Sequence, residues 1–520
     1  MNTRLFITLV LIFCAVQTGI SQQTYKPNWE SLDSRPVAPW FEDAKFGIFI
    51  HWGPYSVPAW SPRGTYSEWY QYWLQTKTLF GNGEFTGTEV YDHHVETYGE
   101  DFTYYDFGEK FTAADFDANL WAKLFEDAGA KYMVITSKHH DGYCLWPSET
   151  ASRTWGFPWN AGEVGAKRDL LKELEVAVKK TDVKFGTYYS LYEWFNPLWK
   201  GDKKKFVEEH MHPQFKELVE GYQPDIIWPD GEWDMKAEKW KTPELLTWLF
   251  NESPIGETVV INDRWGKGIR NHHGGYYTTE YESGLDGSHP WEECRGIGFS
   301  FGYNVNEPVE DYATTQTLIY LLLNVVSNGG NLLLDIGPDG KGNIPEIMQE
   351  RLLAMGEWLK VNGEAIYGTR KWDRACQWSE DGKKDWKPEG THYLPADFIL
   401  KQTVDQQPGY AVREAFFTQN DKSIYVIVPD WPKEDLLIRD LKVTPGTTIN
   451  LLGADIQMES EKQGDHLLIK IPQLEQEQLP CQYAYVFKIN KEPAFLYVTS
   501  GYHFFGKEST ASYVMRFKNE

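Results

Sequence analysis

Short apolar runs alternate with amphipathic stretches between about residues 25 and 368. Apolar runs bounded by turn residues predict strands, and apolar positions at helical spacing predict helices, so this alternation indicates βα units around a parallel sheet. The predicted strands are residues 46–51, 132–137, 185–190, 225–229, 258–262, 275–281, 296–303 and 331–336. The predicted helices are residues 113–130, 170–180, 214–222, 243–251, 312–327 and 344–361. Eight strands favour a closed (β/α)8-like barrel, the TIM-barrel architecture, over an open sheet.

The pattern changes after Gly368, where strands of alternating polarity such as residues 423–428 and 466–471 are separated by Pro, Gly and Asp turns. Such strands predict an antiparallel β-sandwich. We therefore expect a barrel over residues 22–370 and a C-terminal antiparallel β-sandwich domain over residues 371–520. Residues 53–112 are rich in Trp and Tyr but lack the regular spacing, and we expect them to form part of the wall of a site.

The amino terminus has the composition of a secretory signal. Arg4 precedes the apolar residues 5–13, and small residues follow up to Ser21. A charged start, a short apolar centre and a small-residue end predict a cleaved signal peptide over residues 1–21, and hence a secreted or periplasmic protein. The apolar run is too short to span a membrane. Bulky Phe13 before Cys14 disfavours a lipid anchor.

Composition narrows the function classes. A formal net charge of −24 argues against nucleic acid or an anionic membrane as a partner, because both require a cationic surface. The four cysteines beyond the signal, Cys144, Cys294, Cys376 and Cys481, are too sparse for a disulfide scaffold or a zinc motif. The 23 Trp residues suit sugar binding, although tryptophans also fill large cores.

Polar side chains end several of the predicted strands. The most informative segment is residues 224–233, in which an apolar strand leads to Asp230 and Gly231, with Trp228 and Trp233 on either side. Asp230 alone is typical of a helix cap. Other strand ends, however, carry His51, His139, His140, Tyr188, Arg264 and Glu280. Because catalytic groups of a barrel gather at the carboxyl ends of its strands, we expect one polar cavity lined with aromatic rings.

Asp230 and Glu280 would supply the two carboxylates that glycoside hydrolysis requires. One carboxylate attacks or stabilises the anomeric carbon, and the other protonates the leaving oxygen. We expect the three imidazoles and Arg264 to bind sugar hydroxyls and, through their positive charge, to keep Asp230 ionised.

A metal site is the main alternative for these residue types. Adjacent residues on a strand point to opposite faces, so His139 and His140 should not both coordinate the same metal ion. We therefore expect no metal site. Residues 335–346 partly match a calcium-binding loop, but Gly337 occupies the third position, which requires a side-chain carboxylate or amide. We therefore interpret the segment as the last barrel strand and the loop that follows it. His210 and His212 are predicted to lie on a solvated helix surface.

Several motifs in register carry a resemblance to a known family. The segments are residues 25–29, 45–53, 67–70, 138–142, 262–266, 291–292, 329–334 and 363–368. With these segments the chain resembles the α-L-fucosidases of glycoside hydrolase family 29, over the whole predicted barrel. The resemblance implies a retaining exo-glycosidase that needs no cofactor and acts on terminal α-L-fucose of fucosylated oligosaccharides or glycoconjugates. It is compatible with a homo-oligomer.

The resemblance also assigns roles to individual residues. Asp230 matches the nucleophile of the family. His51, Glu68, Trp69, His139 and His140 match residues that hold the fucose hydroxyls, and Tyr188, Trp228, Arg264 and Phe301 match others that line the pocket. Glu280 resembles the acid/base of bacterial members, and Glu292 is the alternative acid/base. Two residues depart from the usual family pattern. Asp335 stands where the family usually has Asn after the leucines 332–334, and Pro229 precedes the nucleophile, where other residues are common.

Two other hypotheses remain open at this level. One is a related glycosidase with a changed sugar, for instance a galactosidase, and the other is a non-catalytic fucose-binding relative. The methyl group of fucose requires an apolar wall, which Trp228 and Phe301 would provide, whereas the additional hydroxyl of galactose would lack a partner there. An assay on aryl α-L-fucoside and aryl β-D-galactoside separates these hypotheses.

Overall fold

The structure is a computed structural model that describes residues 24–79, 85–281, 285, 287–383, 406, 408–443 and 447–491. The predicted signal peptide, residues 1–21, lies outside the described residues. Among the helices of the described part of the chain, none combines the length and the apolar character that a membrane span requires.

Eight parallel strands form a curled sheet. They are β1 Phe46–Ile50, β2 Tyr132–Lys138, β3 Lys184–Ser190, β4 Ile226–Asp230, β5 Val260–Ile261, β6 Tyr277–Glu280, β7 Trp291–Gly296 and β8 Asn331–Ile336. Their order in the sheet is β5-β4-β3-β2-β1-β8-β7-β6. An isolated parallel bridge between Asn262 and Tyr276 joins the two edges, directly after β5 and before β6. The predicted (β/α)8-like barrel is confirmed.

Helices surround this sheet. They are α1 Trp29–Leu32, α2 Pro39–Ala44, α3 Tyr70–Thr76, α4 Glu89–Tyr98, α5 Asp106–Lys110, α6 Ala118–Asp127, α7 Glu149–Trp155, α8 Leu170–Val178, α9 Pro197–Gly201, α10 Lys203–Lys205, α11 His212–Tyr222, α12 Ala237–Trp240, α13 Thr242–Asn251, α14 Thr315–Ser327 and α15 Glu346–Asn362. The six predicted helices correspond to α6, α8, α11, α13, α14 and α15. Residues 262–276 form no helix, so β5 and β6 are joined by a loop.

The seventh strand differs from the prediction. Residues 296–303 were expected to form it, but the strand is Trp291–Gly296, which contains charged residues. Glu292 is fully buried and accepts hydrogen bonds from the Tyr132 hydroxyl at 2.6 Å and the Trp228 indole N–H at 2.8 Å. Buried hydrogen bonds therefore take the place of the apolar contacts on which the prediction relied.

The aromatic segment 53–112 is more regular than predicted, because it contains α3, α4 and α5. A 3₁₀ turn, Ser67–Trp69, immediately precedes α3 and carries Glu68 and Trp69. The sequence pattern of residues 53–112 does not reveal the helices of this segment. Its helices are short and bury aromatic rings such as Tyr70 and Phe107, so no single apolar stripe marks them in the sequence.

The C-terminal part is antiparallel, as predicted. Its strands are β9 Arg370–Trp378, β10 Arg413–Gln419, β11 Ser423–Val428, β12 Leu436–Ile438, β13 Ile449–Leu451, β14 Ser460–Gln463, β15 His466–Ile469 and β16 Tyr485–Asn490. They form two sheets, β13-β16-β11-β10-β9 and β12-β15-β14, which share a core that includes Phe417, Val426 and Leu467. The Tyr320 hydroxyl of α14 donates to the Pro429 carbonyl at 2.9 Å, which ties these sheets to the barrel.

Candidate active site

A cavity opens at the carboxyl ends of the parallel strands. Its lining residues are Phe49, His51, Tyr66, Glu68, Trp69, His139, His140, Tyr188, Trp228, Asp230, Trp233, Arg264, Glu280, Cys294 and Phe301. All eleven residues predicted as catalytic or substrate-binding are among them, and the alternative Glu292 is not. Residues separated by more than 200 positions thus meet because their strands end at the same side of the barrel.

Asp230 ends β4 and is 8% exposed. Arg264 Nη1 lies 2.8 Å from its Oδ1, the Tyr188 hydroxyl donates to its Oδ2 at 3.0 Å, and Arg270 Nη2 lies 3.7 Å from Oδ1. Burial alone would raise the pKa of this carboxyl, but the positive charges of Arg264 and Arg270, joined at low pH by that of His140, outweigh burial and lower the pKa below its ordinary value. Asp230 is therefore ionised at neutral pH.

Arg264 connects the two predicted catalytic carboxylates. Its guanidinium is 1% exposed, contacts Asp230 through Nη1, and reaches Glu280 Oε2 through Nη2 at 3.3 Å. Its Nε donates to Thr278 Oγ1 at 3.0 Å, and its Cζ lies 4.3 Å from the centre of the Trp228 ring. Five donors in a rigid plane allow one arginine to hold both carboxylates at fixed positions.

The two acid/base candidates have different surroundings. Glu280 is the last residue of β6, lines the cavity, and leaves 33% of its side chain exposed. Glu292 is fully buried, and its two oxygens accept from Tyr132 and Trp228. Burial raises the pKa of Glu292 to about 7. Since the Trp228 indole that binds Glu292 belongs to the cavity wall, the Glu292 carboxyl lies behind that wall.

His139 and His140 both face the cavity. The expectation that they point apart is wrong, because β2 ends at Lys138 and the two histidines lie beyond the regular strand. Their ring centres are 4.2 Å apart. Even so, no group of three or more His, Cys, Asp or Glu within the described residues is arranged to hold a metal ion.

The imidazoles are neutral at neutral pH, contrary to the expectation that they keep Asp230 ionised by positive charge. Burial lowers the pKa of His140 to about 4 and that of His51 to about 3. His51 Nδ1 lies 2.6 Å from Asp335 Oδ1, and burial raises the pKa of Asp335 well above its ordinary value. The arginines therefore supply the positive charge at Asp230.

A hydrogen-bond chain fixes the orientation of His140. The Ser190 hydroxyl donates to the Tyr192 carbonyl at 2.5 Å, and Ser190 Oγ lies 2.6 Å from His140 Nδ1. Because the Ser190 proton is already engaged, Ser190 Oγ accepts the proton of Nδ1, which leaves the lone pair on Nε2. This nitrogen lies at the cavity wall, 3.4 Å from the Tyr188 hydroxyl and 3.6 Å from Asp230 Oδ2. Neutral His140 can therefore accept a hydrogen bond from a bound hydroxyl group.

Glu68 is a protonated carboxyl group at the cavity wall. Its Oε2 accepts from the Gly302 backbone N–H at 2.8 Å and from Ser300 Oγ at 3.2 Å. Burial raises the pKa of Glu68 to about 8, so it carries a proton at neutral pH. The cavity therefore combines a hydroxyl donor in Glu68 with a hydroxyl acceptor in His140.

Aromatic rings form the apolar part of the cavity. The ring centres of Phe49 and Trp228 are 5.0 Å apart, and Phe301 stacks on His51 at 4.9 Å and faces Tyr66 at 6.0 Å. Sequence reasoning did not assign Phe49, Tyr66 or Cys294 to the cavity. Phe49 could have been found, since it lies two residues before His51 and therefore on the same face of β1.

Two charged groups near Asp230 were also missed. Glu232 is 3% exposed, and its Oε1 lies 2.6 Å from Arg270 Nε. Arg270 lies in the loop 262–276, which has no periodic pattern, so no sequence signal placed it near Asp230.

The expectation for His210 is wrong. His210 is fully buried, and its Nε2 lies 2.5 Å from Glu193 Oε1, which also binds Lys138 Nζ at 2.9 Å. Burial alone would raise the pKa of Glu193, but His210 and Lys138 lower it to about 2. Lys138, a member of this buried cluster of Lys138, Glu193 and His210, directly precedes His139 in the chain. His212, also predicted to be solvated, is half-buried and lies 3.0 Å from the Trp240 carbonyl.

Comparisons with known proteins agree with one another. Residues 12–364 match the family described as "Alpha-L-fucosidase", and residues 407–490 match "Alpha-L-fucosidase C-terminal domain". The chain is 38% identical to the tissue alpha-L-fucosidase of Homo sapiens over 497 residues, which cover 92% of this chain and 96% of that protein. It is 39% identical to the plasma alpha-L-fucosidase of Pongo abelii over 484 residues, which cover 90% and 93%.

Solved structures give the same result. The alpha-fucosidase of Thermotoga maritima in complex with a mechanism-based inhibitor superimposes with a TM-score of 0.71 at 34% identity, covering 90% of this chain and all of that chain. Isoenzyme 1 of the alpha-L-fucosidase from Paenibacillus thiaminolyticus superimposes with a TM-score of 0.64 at 25% identity, covering 87% and 98%.

Proposed function

The chain belongs to the alpha-L-fucosidase family of glycoside hydrolases, and on that premise we propose that it is a secreted, retaining exo-enzyme that removes terminal α-L-fucosyl residues from fucosylated glycans. The observation that carries this proposal is the ionised, buried Asp230, held by Arg264 and Tyr188 at the base of an aromatic cavity. An anionic carboxylate in that position suits attack on an anomeric carbon that develops positive charge.

The reaction runs in two steps. Asp230 attacks the anomeric carbon while the bond to the leaving oxygen breaks, which gives a covalent fucosyl-enzyme, and Glu280 donates its proton to that oxygen. Glu280 then takes a proton from a water molecule as that water attacks the same carbon. The bond between this carbon and Asp230 breaks, which restores the carboxylate and releases fucose with its original configuration.

Glu280 is our choice of acid/base because it shares Arg264 with the nucleophile. The two carboxylates contact neighbouring nitrogens of one guanidinium, at 2.8 and 3.3 Å. This arrangement is compatible with the separation of roughly 5 to 5.5 Å that retaining enzymes use. Glu292 is less suited, since Tyr132 and Trp228 already occupy its oxygens behind the cavity wall.

The cavity suits the hydroxyl pattern and the methyl group of fucose. Protonated Glu68 donates to a sugar hydroxyl, and His140 Nε2 accepts from another. Buried Nδ1 of His139 has no hydrogen-bond partner among the described residues and is a further candidate to bind the sugar. Trp228 and Phe301 face the methyl group, where an additional hydroxyl would lose its hydrogen bond to water.

Chemical rescue tests the assignment of the nucleophile. We expect Asp230→Gly to lower kcat on an activated aryl fucoside by about three powers of ten or more, because it removes the attacking atom. Added azide should restore part of the activity and yield a fucosyl azide of opposite anomeric configuration. Asp234→Gly, four residues further along and exposed, is the matched control and should keep wild-type rates.

The assignment is refuted if Asp230→Gly retains near wild-type kcat, or if NMR shows that the wild-type enzyme first releases the inverted anomer of fucose. Faster hydrolysis of aryl β-D-galactoside than of aryl α-L-fucoside would overturn the proposed sugar. Secretion rests on Arg4 and the apolar residues 5–13, and N-terminal sequencing of exported protein tests it, with a start near residue 22 expected.

A further inference from the structure

We propose that Trp233 is the binding platform for the pyranose ring of the leaving group, a subsite adjacent to the fucose cavity. The proposal rests on the proposed function, since it concerns the part of the glycan that departs from Asp230. Trp233 lines the cavity and yet is 38% exposed, which is unusual for a residue in this wall.

The exposure of the lining residues divides the cavity into a base and a mouth. Most of the lining side chains, including His51, Asp230 and Phe301, are buried. Trp69 and Glu280 are partly exposed, and Trp233 is the most exposed of the set. Fucose fits among the buried groups, so the leaving group extends from the base towards the mouth.

The position of Glu280 also indicates that the leaving group extends towards the mouth of the cavity. Glu280 must donate its proton to the leaving oxygen, and its side chain is 33% exposed at the mouth. The ring attached to that oxygen therefore leaves the cavity on the solvent side of Glu280. An exposed aromatic ring that lines the same cavity, such as that of Trp233, offers an apolar face to the C–H groups of a sugar.

Trp233 is held in place without being covered. Its ring lies 6.3 Å from that of Trp69, with the two planes 23° apart, and 5.5 and 5.9 Å from the rings of His140 and Tyr192. Gly231, two residues earlier, has a φ of 75° and sits so close to Tyr192 that a Cβ atom would lie 2.4 Å from that ring. The turn is thus fixed, and an immobilised ring binds with a small loss of conformational entropy.

Two substrates distinguish binding at this subsite from binding in the fucose cavity. α-L-Fucosyl fluoride has a leaving group too small to reach Trp233, whereas a disaccharide of α-L-fucose and galactose reaches it. We expect Trp233→Ala to lower kcat/KM for the disaccharide by about tenfold, because stacking on the indole is lost. The same variant should hydrolyse the fluoride within about twofold of wild type, and Trp233→Phe should recover most of the disaccharide activity.

Phe157→Ala is the matched control, because Phe157 is 37% exposed and packs on Tyr105, Trp155 and Trp159, outside the cavity. Phe157→Ala should leave the hydrolysis of both the fluoride and the disaccharide at wild-type rates. Equal losses on the fluoride and the disaccharide for Trp233→Ala would show that Trp233 only supports the fucose cavity and would overturn the proposal. An unchanged disaccharide rate would overturn it as well. A wild-type enzyme that fails to hydrolyse the fluoride would instead contradict the proposed function.

Discussion

Replacing Arg264 by Met tests whether this arginine keeps the nucleophile ionised. Met retains much of the apolar volume over Trp228 but removes the charge 2.8 Å from Asp230 Oδ1. Burial then favours the protonated carboxyl, and Arg270 remains at 3.7 Å, on a side chain that is 32% exposed. We expect the pKa of Asp230 to rise in Arg264→Met.

The size of the expected pKa rise of Asp230 follows from its 2.8 Å contact with Arg264. A neighbouring cation within this distance typically lowers the pKa of an Asp by about 1 to 3 units. Because Arg264 is nearly fully buried and forms the shortest ion pair of Asp230, we expect a rise of about 2 units, which corresponds to about 2.7 kcal/mol. The partly exposed Arg270 is screened by water and should contribute less.

The pH dependence of kcat/KM on an activated aryl fucoside measures this shift. Its acidic limb reports the essential ionised group of the free enzyme, and activity falls as the pH drops through the pKa of Asp230. A raised pKa moves that loss to higher pH, so the acidic limb of Arg264→Met should lie about 2 units above that of wild type. Arg270→Met is the comparison and should move the limb by less.

An acidic limb that stays at the wild-type pH in Arg264→Met, together with a large loss of kcat/KM at all pH values, would refute this reasoning. Arg264 would then act by binding the sugar or by positioning Glu280. A larger shift for Arg270→Met than for Arg264→Met would also contradict it.

The remaining predictions concern the acid/base and the buried cluster of Lys138, Glu193 and His210. Glu280→Gln should slow fucosides with poor leaving groups by at least about a hundredfold while largely sparing dinitrophenyl fucoside, and Glu292→Gln should show no such selectivity; the opposite pattern would make Glu292 the acid. Glu193→Gln should destabilise the fold by about 3 kcal/mol or more at pH 7, because it leaves the fully buried Lys138 ammonium without its counter-charge. Since the folded-state pKa of Glu193 is lowered to about 2, the loss in melting temperature should be full above about pH 4.3, the unfolded value, and shrink as the pH falls towards 2. Glu173→Gln, at an exposed ion pair with Arg168, is the control, and an equally small effect of both substitutions would contradict the buried-charge argument.

Much of the barrel was predictable because apolar periodicity reflects burial. Strands β1, β2, β3, β4 and β8 are buried along nearly their whole length and appear in the sequence as continuous apolar runs. Strand β7 was misplaced because its buried Glu292 and Glu293 are satisfied by Tyr132, Trp228 and Thr279 of other strands and by Arg295 of β7 itself. The polarity of a short segment cannot show that a donor far away in the sequence will form a hydrogen bond with its buried carboxyl group.

The sequence by itself determined the fold class, the family and eleven of the residues that line the cavity, because strand ends and motifs are local features. Only the tertiary structure decided the electrostatics of that cavity. It showed that Arg264 and Arg270 hold Asp230 ionised while buried histidines are neutral, and that Glu292 lies behind Trp228. The physical reason is that a pKa depends on burial and on charges within a few ångströms, and those neighbours come from strands and loops far apart in the chain.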